Sequence, residues 1–310
     1  MSLDQKVLHA YVAMQNLAYG RPLNEIAEEI GRSRFATARM VKRARDMGLV
    51  EVRAMLTDTV DIDLSTRLIS AYGLRAALVV SPMAGHSTEA REAVAAIAAK
   101  FIVDNVEEDD VLGFTPGRTL VAASRLVTEI AHSDVVQLTG VGAPKLEDGI
   151  EAILNVGRMA QGGTYPLYAP LFIQDAEART ILQHPAIKRT LQKFNSVTKA
   201  FLTVGGWPDA SLLALQLAEL GEMERFEKAG VVAEIGTMLL DEDGRSIGGY
   251  QDYLVGISED QLRKVPTRVA VGGGPGKEQA VIAVLRSGIA DVVITDALSA
   301  RAALEAINSH

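Results

Sequence analysis

Beyond Ala54 short, continuous apolar runs, several ending at glycine, alternate with stretches of helical length, without a strong sequence repeat. The runs include "AALVVSP" (Ala76–Pro82), "VLGF" before "TPGRTL", "VVQLTG", "AFLTVGG", "RVAVGGG" and "DVVITD". Each reads as a buried strand, and buried strands alternating with helices predict a mainly parallel α/β sheet. Helices are expected over Leu64–Leu74, Thr88–Val103, Thr119–Ala131 and Lys277–Arg286, with a last one after "ITD". "LYAPLF" and "VVAEIG" read as further strand units, and "DEDGR" (Asp241–Arg245) as a hairpin turn, because Asp-Gly is a strong turn signal.

A chain of 310 residues exceeds one typical domain, so a small and a large domain are expected, residues 1–55 and 56–310. No apolar run reaches the ~18 residues needed to cross a bilayer. The first ten residues carry Asp4, Gln5 and Lys6 rather than a signal-peptide stretch, so a cytoplasmic protein is expected. The absence of cysteine excludes disulfides and thiolate zinc sites. The five histidines, His9, His86, His132, His184 and His310, show no pair at ligand spacing, so no metal is expected.

Charge divides the chain unevenly. Residues 1–53 hold nine Lys/Arg against six Asp/Glu, whereas the remainder holds 22 against 33. Six of the cations lie between Arg32 and Arg45, in a protein of net charge −8. The local pattern is helical. Val7, Leu8, Tyr11, Met14, Leu17 and Ala18 form one face of a helix over Leu3–Ala18. Gly20 ends it, and Pro22 opens a second helix with Leu23, Ile26, Ala27 and Ile30 on its apolar stripe. Gly31 closes that helix, and Ser33 is a good N-cap for a third, running to about Met47. "LVEV" (Leu49–Val52) reads as a short strand.

Helix, glycine turn, helix is helix-turn-helix spacing. The third helix is expected to bury Phe35, Ala38, Val41 and Ala44 and to present its cations to DNA. Residues near the N-terminus of such a helix read bases, and those farther along reach phosphates. Arg34, Thr37 and Arg39 are thus assigned to base edges, and Lys42, Arg43 and Arg45 to phosphates, with the capping Ser33 at the DNA-facing end. A solvated basic face is the plainer alternative.

Three strand ends carry candidate chemistry, because ligands of open α/β sheets bind at strand carboxyl ends. In "GFTPGRTL" (Gly113–Leu120), Gly113 and Gly117 free the backbone, and Thr115, Arg118 and Thr119 stand at a helix start. Such a loop suits a phosphate or a polyhydroxylated sugar, though a plain tight turn would look the same. It has neither a Walker lysine nor a dinucleotide fingerprint, so no nucleotide cofactor is expected. In "VAVGGGPGKEQAV", Lys277 opens a helix, a position its dipole disfavours unless an anion or a carboxylate compensates. In "ITDALSA", Asp296 caps the last helix or accepts from a sugar hydroxyl. Trp207 and Tyr165 could stack on a sugar ring or simply pack in the core.

The stretch "EIAEEIGRSRFATARMVKRARDMGLV" is similar to the N-terminal signature of SorC/DeoR-type sugar-responsive transcription regulators of bacteria. "VLGFTPGRTL", "VVQLTG", "TYPLYAP", "DEDG" and "VAVGGGPGKEQAVIAVLRSGIADVVITDALSA" follow in the family's order, so the resemblance spans the whole chain. It implies a winged-type DNA-binding head and an effector domain related to sugar-phosphate isomerases and deaminases. It also implies a tetrameric or dimer-of-dimers regulator of a sugar-use operon. By position, Gly113, Thr115, Gly117, Arg118 and Thr119 match the loop that holds the effector, and Lys277 and Asp296 match residues of the same cleft. Thr139 stands where phosphosugar-binding members often carry a cation, and Pro116 also departs from the doubly hydroxylated loop.

Two rival functions can be set against a regulator. A sugar-phosphate isomerase or deaminase would need a general base poised in the cleft, and no carboxylate or histidine in the glycine loops suits that role. A redox regulator reading a nicotinamide nucleotide would need the missing three-glycine fingerprint.

Overall fold

The computed structural model describes residues 1–51, 59–81, 87–142 and 146–308, in two compact units, Met1–Asp58 and Thr59–His310. His86, His310 and Val52 of the expected "LVEV" strand lie outside the described residues. The rest of that stretch, Leu49–Glu51, is not a strand.

The first unit has three helices: α1 (Leu3–Leu17), α2 (Leu23–Glu29) and α3 (Arg34–Asp46). Gly31 (φ 62°) and Gly48 (φ 64°) adopt the left-handed conformation that closes α2 and α3. The Ser33 hydroxyl caps α3 by accepting from the Ala36 N–H at 3.2 Å. Val12, Ala13, Ile26, Val41 and Ala44 form the core, with Leu8, Leu17, Leu23, Ile30 and Met40 packed around it. The core thus keeps Leu8 and Leu17 of the expected α1 face but centres on Val12 and Ala13. Val7 and Met14 are exposed, and Tyr11 instead donates from its hydroxyl to Glu29 on α2.

The second unit is built on strands β1 (Ala76–Val80), β2 (Asp110–Phe114), β3 (Ser133–Gln137), β4 (Gln161–Tyr165) and β5 (Lys199–Gly206). There follow β6 (Ala233–Ile235), β7 (Met238–Leu240), β8 (Ser246–Ile247), β9 (Thr267–Val271) and β10 (Val292–Asp296). Seven of them run in the order β1-β10-β9-β5-β2-β3-β4, every neighbouring pair parallel. β6, β7 and β8 form an antiparallel extension from β5. Alternate residues of one strand enter different cores. On β5, Ala200, Leu202 and Val204 join one cluster and Phe201 the other. Both faces are therefore dry, which is why the strands read as continuous apolar runs.

The helices named in the argument below are α4 (Ile62–Tyr72), α5 (Ser87–Asn105) and α6 (Arg118–Ser124). Helix α6 is shorter than the expected Thr119–Ala131. Val127 and Ile130 beyond it are still buried, so core burial without a helix produced the periodic pattern. "LYAPLF" forms no strand, because Pro170 has no N–H to donate; it contributes only isolated bridges, Val141 with Pro170 and Phe172 with Leu254. "VVAEIG" supplies β6, antiparallel rather than parallel. "DEDGR" is the expected turn between β7 and β8, with Asp241 Oδ1 accepting from the N–H groups of Asp243 and Arg245 at 3.0 and 2.8 Å.

β2 is clamped to β5 at its amino end. The Asp110 carboxylate accepts from the Lys199 ammonium, from the Thr198 hydroxyl at 2.6 Å and from the Glu107 N–H at 2.8 Å. Burial pushes this carboxyl upward, but the Lys199 and Thr198 contacts outweigh it and hold it below the ordinary carboxylate value. Lys199→Met should therefore cost about 3–5 kcal/mol of stability, since it strands a buried charge, whereas the double variant Asp110→Leu with Lys199→Met should recover much of that in urea unfolding. Because the folded value is depressed, the stability Asp110 contributes is complete above about pH 4 and drains away as the pH falls through the lower folded value. A urea-midpoint profile of the wild type and the double variant should diverge above that pH and converge below it.

Candidate functional site

Sheet topology decides where a ligand can enter. From β2 the chain passes to β3 on one side, while β5 lies on the other, so the crossovers diverge at the β2–β5 boundary. A crevice opens beyond the carboxyl ends of the strands at such a switch point. A cavity of about 580 Å³ occupies it, within the range typical of small-molecule sites. Its walls come from the turn after β2 (Pro116–Thr119), the end of β3 (Gln137, Gly140–Gly142), β5 and the segment after it (Thr203, Gly205, Asp209–Leu212), and the glycine loop after β9 (Gly273–Lys277). Leu215, Glu234 of β6 and Arg91 of α5 complete it.

Four of the sequence-assigned effector residues are on this wall: Gly117, Arg118, Thr119 and Lys277. Gly117 has φ 153°, and a Cβ there would lie 2.4 Å from the Thr203 hydroxyl, so only glycine lets the loop approach β5. The Lys277 ammonium folds back onto β5 and donates to the Val204 carbonyl at 2.6 Å. Burial lowers its pKa to about 8, assisted by the positive charges of Arg118 and Arg91 and opposed by Glu234. Arg118, Arg91 and Lys277 thus face one another across one cavity. Glu234 accepts from the Ser211 hydroxyl and from the Leu213 N–H at 3.0 Å, and burial pushes its carboxyl upward despite these donors and Lys277. The Thr203 hydroxyl, buried on the same wall, has no hydrogen-bond partner among the described residues.

The other four assignments need correction. Gly113 is inside β2, where a Cβ would meet Leu138 at 2.7 Å; it serves strand packing. Thr115 is buried, and its hydroxyl accepts from the Thr203 N–H at 2.9 Å, tying β2 to β5. Thr139 is buried beside the cavity but off its wall. Asp296 spends both oxygens on the protein: Oδ1 accepts from the Leu298 and Ser299 N–H groups, and Oδ2 from the Gly274 N–H and the Ser299 hydroxyl. It caps the last helix (Ala297–Asn308) and braces the glycine loop, with no lone pair turned to the cavity. Trp207 packs beside the cluster of Leu213 and Phe226, and Tyr165 takes Lys193 over its ring at 5.1 Å, so neither stacks on a ligand in the cavity.

Arg91, Gln137, Thr203, Asp209, Ser211 and Glu234 escaped the sequence reading. Glu234 had a signal: a carboxylate inside the apolar run "VVAEIG" is out of place unless it has buried partners. Arg91 had none, because an arginine on an alanine-rich helix reads as solvent-facing. Exposed Glu108, Asp109 and His132 also come together, at the amino ends of β2 and β3, remote in the sheet from the cavity.

In the first unit, Arg34, Arg39, Lys42, Arg43 and Arg45 are all exposed on α3, and Ser33 stands exposed at its cap. Thr37 is the exception. It is fully buried and its hydroxyl donates to the Ser33 carbonyl at 3.1 Å, so it belongs to the inner face with Val41 and Ala44 and cannot reach a base. Phe35, expected inside, is 75% exposed.

Residues 58–305 match the Sugar-bind family of sugar-binding domains. The chain belongs to this family, among SorC- and DeoR-type regulators. It is 24% identical over 306 residues to YjhU, a transcriptional regulator of Escherichia coli K12, covering 94% of this chain and 92% of that one. It is 26% identical to the deoxyribonucleoside regulator of Bacillus subtilis, covering 90% and 91% respectively. Its fold is similar to that of the full-length sorbitol operon regulator SorC of Klebsiella pneumoniae, with a TM-score of 0.70, 19% identity and coverage of 97% and 99%. The Sugar-bind match takes in the whole cavity described above.

If Arg118 presses on Lys277 through space, Arg118→Ala should move the Lys277 pKa up from about 8 towards 10.5, and Glu234→Gln should move it further down. Lysine NMR titration reads both shifts, and shifts of the same sign would reject this account of the cavity.

Proposed function

We propose that this Sugar-bind chain is a bacterial transcription regulator of a carbohydrate-use operon, acting in the cytoplasm as a homo-oligomer. Helix α3 binds operator DNA, and a sugar, polyol or phosphosugar in the cavity controls that binding. The observation that carries the reading of the cavity is its charge. Arg91, Arg118 and Lys277 converge on one cavity, an arrangement that suits an anionic group. The effector is accordingly phosphorylated or otherwise anionic, despite Thr139 standing where relatives of that kind often carry a cation. Asp209 and Glu234 offer partners for its hydroxyls.

The site is read as binding rather than catalytic. Its relatives are named transcriptional regulators, and Glu234, whose Oε2 accepts from the Ser211 hydroxyl and the Leu213 N–H, is held in place to accept from an effector hydroxyl. An effector that prefers one of two subunit arrangements shifts the population toward it and so alters DNA affinity; only differential affinity can do this.

The test is fluorescence anisotropy of the full chain with labelled DNA from upstream of its own operon, titrated with sugars, polyols and their phosphates. Binding that weakens steeply with salt and shifts with one anionic compound supports the reading. Turnover of that compound would reject it. Arg39→Ala should relax sequence preference, whereas Lys42→Ala should weaken operator and random DNA alike.

Effector affinity should also fall as Lys277 loses its proton. With a free-site pKa of about 8, the loss is about tenfold between pH 7 and pH 9 if only the ammonium form binds. Calorimetric titration at both pH values should show this fall in the wild type and its near-absence in Lys277→Met.

A further inference from the structure

The exposed ring of Phe35 has no role in the account above. It is the second residue of α3, 75% exposed, and its neighbours on the outer face are Arg34, Arg39 and Lys42. Phe35, Arg39 and Lys42 follow one another at four- and three-residue steps, so they form a single stripe. That stripe faces away from Thr37, Val41 and Ala44, which anchor the helix in its core. A lone exposed apolar residue is unremarkable on a protein surface. Here it stands inside a ring of cations whose complement is a polyanion, on the helix face assigned to the major groove.

We propose that Phe35 reads the C5-methyl group of a thymine in the operator, beside the base that Arg39 contacts. The thymine methyl is the apolar feature that a base pair displays in the major groove, and a phenylalanine side chain is a suitable partner for it. Four residues of helix advance about 6 Å, while successive base pairs are about 3.4 Å apart. The thymine therefore lies within about two base pairs of the one read by Arg39. This inference rests on DNA binding by α3, and it adds a contact that hydrogen bonding from the arginines cannot make.

The experiment begins with duplexes selected from a random pool by the full wild-type chain. In the tightest duplex each thymine is then replaced singly by deoxyuridine, which removes only the methyl group. At one position wild-type affinity should fall about fourfold, the value of burying one such carbon. Phe35→Ala should bind the parent duplex more weakly by at least that factor and be indifferent to the same replacement. Phe35→Leu, which keeps an apolar surface, should retain part of the methyl sensitivity. Arg39→Ala should lose preference at a position within two base pairs and keep the methyl effect.

The inference is overturned if no deoxyuridine replacement weakens the wild type, or if Phe35→Ala responds to it as the wild type does. It is also overturned if Phe35→Ala changes the oligomeric state, which would place the ring against another copy of the chain. Failure of the wild type to enrich any duplex would instead remove the DNA-binding reading itself. Because Phe35 lies outside the three-helix core, melting temperatures of both variants should match the wild type, which separates a lost contact from a lost fold.

Discussion

The reversal of strand order around β2 is the constraint on which the ligand chemistry of this molecule depends. With β3 on one side and β5 on the other, the segments leaving the strand carboxyl ends must part, and a crevice is left that core residues do not fill. Strands β2 and β5 are held firmly below it. Asp110 and Lys199 join their amino ends, and Phe114 stacks on Phe201 with centroids 4.9 Å apart near the floor. A cavity wall built on such fixed strands needs little reorganisation to meet a ligand, which limits the entropy lost on binding.

Electrostatics then gives the cavity its character. Three cations share a partly desolvated space; burial depresses the pKa of Lys277, and the charges of Arg118 and Arg91 add to the shift. The Lys277–Val204 hydrogen bond and the proximity of Glu234 hold the arrangement together without neutralising it fully. The glycine loop after β9 keeps its shape because Asp296 grips the Gly274 N–H while capping the last helix. Asp296 thus acts on the site through the backbone, from behind the wall.

The three-helix unit turns on the phase of one helix. The expected buried face of its third helix runs through Phe35, Ala38, Val41 and Ala44. Packing keeps Val41 and Ala44 but sets Thr37 beside them in place of Phe35: small Thr37 satisfies its hydroxyl on the Ser33 carbonyl and fits the close approach of the helices, which a phenylalanine would obstruct. The outcome exchanges the two residues, putting a ring where a hydroxyl was expected on the exposed face of α3. Residue type alone argues for the opposite placement, so only the packed structure could decide between them.

By itself the sequence determined the class of fold, the helix-turn-helix, the family and the two loops on which a ligand-binding reading rests. These are local signals: strand runs dry on both faces, glycine at helix ends, a serine cap, and cations clustered within a turn or two. Gly117, Arg118, Thr119 and Lys277 were found for the same reason, since each stands in a short glycine-bearing motif. Tertiary structure alone decided that Gly113, Thr115 and Asp296 serve the scaffold, that Thr139 lies off the cavity wall, and that Arg91 and Glu234 join the cavity. Those assignments depend on which strands become neighbours and which way a side chain turns at their ends. Strand order and rotamer are set by contacts among residues far apart in the chain, and no local pattern of residue types records them.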